Sequence, residues 1–88
     1  MQVAVEVSMY PLTQDYEPPI IQFIQMLKAQ AGLRVSTNEF STQISGDYDQ
    51  VMNTIQDAIR VSYQQPGVCT FVLKILNIEI APGREVSL

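Results

Sequence analysis

The side chains able to do chemistry in this chain are mostly neutral. Ser8 and Tyr10 lie near the end of an alternating apolar stretch, and Thr37, Asn38, Ser41, Thr42 and Gln43 crowd into a second short segment. Hydroxyls and carboxamides donate and accept hydrogen bonds, which suits a planar heterocycle that is held but not transformed. Glu6, on the first stretch, is placed either to meet a ligand cation or to face water or Lys74. There is no His, which removes His-based acid–base, triad and most metal chemistry. No Gly-rich phosphate loop and no CxxC metal signal occur. Catalysis is not expected, and neither is a cofactor or a bound metal.

Elements must bring these side chains together. Val3, Val5, Val7 and Met9 alternate with Gln2, Ala4, Glu6, Ser8 and Tyr10, as in a strand with one buried face. Ile20, Phe23, Ile24, Leu27 and Ala31 recur at helical spacing. Pro18 and Pro19 suit a first turn and Gly32 a stop, so a helix is expected over 18–31, capped by Asp15 or Glu17. Residues 33–39 and 40–45 read as two short strands joined around Asn38-Glu39-Phe40. Asp47 and Gln50 have capping-box spacing for a second helix, whose stripe is Val51, Ile55, Ala58 and Ile59. Pro66-Gly67 ends it. Residues 68–80 form a last strand, apolar on both faces and expected to be at least partly buried on both.

The order β-α-β-β-α-β, with right-handed crossovers, gives a ferredoxin-like α+β sandwich. Two helices cover one face of a four-stranded antiparallel sheet, with the first and third strands central. The domain is expected to span residues 1–80, and 81–88 to form a tail without periodic signal. In this topology Ser8 and Tyr10 meet Thr37, Asn38, Ser41, Thr42 and Gln43 at one end of the sheet, beside the 11–17 loop. The first helix begins at that end and the second finishes there, with opposite partial charges. Solvated strand positions and a turn would show the same residue types, so pattern alone leaves a plain structural role open.

Composition narrows the partners. The chain of 88 residues carries nine Asp and Glu against five Lys and Arg, a net charge of −4. Nucleic acid would need a basic face, which is missing. Cys69 stands alone, so no disulfide framework is expected. No apolar stretch approaches the roughly 20 residues that span a bilayer, and the first residues lack a secretory pattern. A cytoplasmic domain with no membrane association is expected.

Three connected segments carry a family resemblance: Tyr10-Pro11-Leu12, Gly32-Leu33-Arg34-Val35-Ser36-Thr37-Asn38, and Ser41-Thr42-Gln43-Ile44-Ser45-Gly46-Asp47-Tyr48-Asp49. Together they resemble the YkoF-like thiamine- and hydroxymethylpyrimidine-binding family over about residues 1–78. The resemblance implies a ferredoxin-like domain that binds thiamine or its pyrimidine precursor without catalysis. It also implies domains that pair through their sheets, here as a homodimer or homotetramer. By motif position, Ser8, Thr37, Asn38, Ser41 and Thr42 would line the ligand pocket. The chain departs from the family pattern at Thr13, where a Gly is usual, and at bulky Phe40, expected to narrow the pocket. The alternative function is an ACT-like regulatory or oligomerisation module without a thiamine ligand, although Pro11-Leu12-Thr13 lacks the Gly usual in its first turn. Ferredoxin-like enzymes are disfavoured by the missing His and by a first loop without Arg.

Overall fold

The alternating valines of the first strand decide which side of the sheet is covered. In the computed structural model, which describes residues 1–88, Val3, Val5 and Val7 of β1 (Gln2–Pro11) are all buried. The chain continues through α1 (Glu17–Lys28), β2 (Arg34–Thr37), β3 (Thr42–Asp47), α2 (Tyr48–Tyr63) and β4 (Cys69–Leu76). The sheet runs β2-β3-β1-β4 with every pairing antiparallel, so β1 and β3 are central and the ferredoxin-like arrangement is realised. Phe23 and Leu27 of α1, with Val51, Ile55 and Ala58 of α2, close over Ile44 and the three valines. Leu27, Ile44 and Val51 have no exposed surface, and burying each contributes about 1.5–3 kcal/mol.

Each helix is set by local chemistry. The Asp47 carboxylate accepts the Gln50 N–H at 3.3 Å and caps α2. Gln50 does not return the bond as a capping box would; its amide donates to the Ala31 carbonyl at 2.6 Å, pinning the turn after α1. That helix stops at Lys28, earlier than expected, because Gln30 N–H closes a tighter turn on Leu27 O and Gly32 follows at φ 85°. Its cap position falls on Tyr16, which makes no side-chain cap bond, instead of on Asp15 or Glu17.

The central hairpin is shorter than expected because Asn38 builds its turn. The Asn38 side-chain oxygen accepts the N–H groups of Phe40 at 2.8 Å and Ser41 at 2.9 Å. The Asn38 N–H donates to Ser41 O at 3.0 Å. Residues 38–41 are thereby withdrawn from the ladder.

The last strand departs most from expectation. Its ladder with β1 ends at Leu76, opposite Ala4, and does not reach Ile80. Beyond it the chain crosses the uncovered face of the sheet. The Arg34 guanidinium donates to Glu79 Oε1 at 3.2 Å and Ile80 O at 3.3 Å, and Ser45 Oγ donates to Ile80 O at 3.3 Å. The Gly83 N–H donates to Gln43 Oε1 at 2.8 Å. Residues 79–83 thus form a strap, with Ala4 and Ser45 buried at that face. Meanwhile Val72, Ile75 and Leu76 of β4 are about half exposed, contrary to the burial expected on both faces. The helices pack over β1, β2 and β3, and of β4 only Cys69 and Phe71 are partly covered, Phe71 by Phe23 and Tyr63. No helix is long and apolar enough to cross a membrane.

Candidate functional site

Two chain reversals leave a gap at one end of the sheet. β1 ends at Pro11, and the Asn38 turn carries β2 into β3 beside it. Between them and the first turns of α1 opens a cavity of about 430 Å³, within the range of small-ligand sites. Ser8, Tyr10, Thr37, Asn38, Ser41 and Thr42 all border it. Glu6 and Gln43 do not.

Place along the strands makes this division, since Ser8 and Tyr10 alternate onto the same face as Glu6 but lie nearer the sheet end. Glu6 and Gln43 are direct partners in the β1–β3 ladder and share the face away from the helices. There Gln43 is occupied by the strap, through Gly83. Glu6 stands one bond behind the cavity: Ser41 Oγ donates to Glu6 Oε2 at 3.0 Å, and Lys74 Nζ lies 3.5 Å from Glu6 Oε1. Thr37 and Thr42 pair on the helix-covered face, opposite Val7, with their hydroxyl oxygens 2.8 Å apart. Thr42 is almost fully buried, whereas Thr37 also donates to Ser41 O at 3.4 Å.

These bonds decide what the cavity offers an incoming molecule. Ser41 has committed its proton to Glu6 and keeps lone pairs to accept with. Asn38 has committed its oxygen to the turn, which leaves its NH2 group to donate. A donor and an acceptor therefore stand close together on one short turn. The floor is apolar, from Val7, Ile20, Phe23 and Ile24, and three exposed rings, Tyr10, Tyr16 and Phe40, stand around the opening. Such rings are free to lie against a flat ligand, each favourable contact contributing about 0.5–1.5 kcal/mol.

Sequence reasoning missed the α1 contribution. Ile20, Phe23 and Ile24 carry the helical period of a core stripe, and periodicity does not separate a core wall from a cavity floor. Only Phe23 of the three is fully buried. Tyr16 gave a weaker signal still, an isolated aromatic in a polar loop. Phe40, expected to narrow the pocket, projects at the opening and is 88% exposed.

A larger hollow of about 630 Å³ lies between the 11–19 loop and the end of α2. Only four of its fourteen bordering residues are hydrophobic, against nine of sixteen in the first cavity. Its hydroxyl and amide groups, Thr13, Gln22, Ser62 and Gln65, stand over few apolar side chains, and the Ser62 hydroxyl is committed to Ala58 O, so size does not make it the better site. Cys69 borders it, and burial pushes that thiol up, away from the reactive thiolate.

The chain is of the ferredoxin-like class, with an amphipathic cavity at one end of its sheet. Comparison with known proteins is more specific. The family model for thiamine-binding proteins matches residues 5–87, and the chain belongs to that family. No curated protein matches the chain in sequence. Among solved structures, a Streptococcus pneumoniae protein is 26% identical, with a TM-score of 0.81 over 91% of this chain and 90% of its own. A Thermotoga maritima protein proposed to serve thiamine biosynthesis or salvage superposes with a TM-score of 0.78 at 18% identity, covering 89% of this chain and 85% of its own. A Methanocaldococcus jannascii protein gives 0.78 at 24% identity, over 99% and 88%. The last two likenesses show the fold alone.

Proposed function

We propose that this domain binds thiamine or its hydroxymethylpyrimidine precursor in the cavity at the sheet end and releases it unchanged. Family membership supports the ligand class, and one observation carries the site: a donor–acceptor rim of hydroxyl and amide groups stands over an apolar floor. The aminopyrimidine ring is flat and shows donor and acceptor edges. The Asn38 NH2 group and the lone pairs of Ser41 complement such an edge, with Thr37 and Ser8 alongside. Tyr10, Tyr16 and Phe40 stack on the ring faces, and the carboxylate of Glu6 offsets a thiazolium charge through Ser41. The cavity border supplies one carboxylate, Glu39, and two phenols, a poor set for proton transfer.

The same reading assigns the domain to the cytosol, consistent with its single unpaired thiol. It also makes the domain a homodimer or homotetramer. The exposed apolar side chains of β4, an edge strand with open backbone groups, are the surface a second copy would cover.

Thermal denaturation with and without ligand tests the binding reading. Thiamine or hydroxymethylpyrimidine should raise Tm, because a ligand at a hundred times its Kd stabilises the native state by about 2.7 kcal/mol. An unchanged Tm at millimolar concentrations of both would contradict it.

A further inference from the structure

We infer that the cavity discriminates against phosphorylated forms of its ligand; this deepens the binding reading above and rests on it. Proteins hold a phosphate with cationic side chains, with free N–H groups at a helix start, or with N–H groups converging in a turn. Each source is closed at this cavity.

The cations are all engaged or distant. No Lys or Arg borders the cavity. Lys74, the nearest in register, is drawn to Glu6 at 3.5 Å. Arg34 is turned to the strap through Glu79, and Arg60 pairs with Asp57 at 3.6 Å. Lys28 closes the far end of α1, roughly 16 Å from its start. Arg84 belongs to the terminal segment beyond the strap's Gly83 contact.

The backbone donors are closed as well. The cavity meets α1 near its N-terminus, but Pro18 and Pro19 occupy that first turn and have no N–H to give. Glu17 adds a negative charge to the same turn. In the β2–β3 turn, the Phe40 and Ser41 N–H groups are already taken by the Asn38 side-chain oxygen, so no anion-binding nest remains. Glu39 borders the cavity, and Glu6 stands behind Ser41. An anionic ester would therefore lose its hydration near carboxylates and gain only neutral side-chain donors, with no cation to offset its charge. The neutral pyrimidine and cationic thiamine have no such penalty.

Calorimetric titration with two matched pairs tests this: hydroxymethylpyrimidine against its phosphate ester, and thiamine against thiamine monophosphate. Within each pair the free compound should bind at least about tenfold more tightly at low salt. Added NaCl should narrow the gap, because the repulsion is screened. Glu39→Lys, on the exposed turn, should narrow it several-fold at constant salt. Esters that bind as tightly as the free compounds would overturn the inference and leave the binding reading standing. A gap unmoved by both salt and Glu39→Lys would overturn its electrostatic cause. Silence from all four compounds would remove the binding reading itself.

Discussion

Ser41 has two duties, because it borders the cavity while its hydroxyl donates to Glu6 and keeps lone pairs to accept with. Ser41→Ala should weaken hydroxymethylpyrimidine binding about three- to tenfold in calorimetry, the size of one lost hydrogen bond. Its Tm without ligand should stay close to that of the parent, since this turn hydroxyl is not deeply buried. Thr42 should behave in the opposite sense. It is almost fully buried and shares a 2.8 Å bond with Thr37, so Thr42→Val should cost about 1 kcal/mol in urea denaturation. Cys69 is a third case at this scale. Desolvation pushes its thiol up, so iodoacetamide should modify it more slowly at neutral pH than a free cysteine. The rate should still be rising at pH values where a free cysteine has levelled off.

At the scale of elements, caps and turns fix the frame of the site. Asp47→Ala removes the α2 cap and should lower stability by about 1 kcal/mol. Gly32→Ala should cost about 1–2 kcal/mol, since φ 85° is costly for a residue with a Cβ. Chemical denaturation of both variants measures these losses. Much of this was legible beforehand, because alternation in 3–9 and helical spacing in 20–27 report one-sided burial directly. The Asp47 cap was equally plain. What escaped was non-local. Nothing near Gln50 in sequence marks Ala31 as its partner, and nothing in residues 79–83 announces that Arg34, Ser45 and Gln43 will hold them. Topology alone makes Gln43 a candidate site residue, but it lies one position further from the sheet end than Thr42 and is taken up by the strap. The floor of the cavity was hidden because Ile20 and Ile24 satisfy a core stripe as well as a binding slot.

At the scale of the whole molecule, the sheet has one side protected by helices and the other shared between the strap and solvent. The strap covers the β2–β3 side, and β4 remains an apolar edge. Analytical ultracentrifugation should therefore find a homodimer or homotetramer, and Val72→Glu on that edge should shift the species toward monomer. A parent chain that sediments as a monomer at micromolar concentrations would contradict this assembly. Val72 is the ladder partner of Ser8, so ligand affinity is followed in Leu76→Glu, opposite Ala4 at the other end of that ladder, which should leave the affinity of each domain little changed.

The most direct test of the central claim is to map where the pyrimidine goes, by following backbone amide resonances during titration with hydroxymethylpyrimidine. The largest shifts should fall in residues 8–12, 20–24 and 37–42, with the Ser41 and Glu39 amides among them. Shifts concentrated instead around Gly67 and Cys69, in the larger hollow, or an unchanged spectrum at saturating ligand, would contradict it.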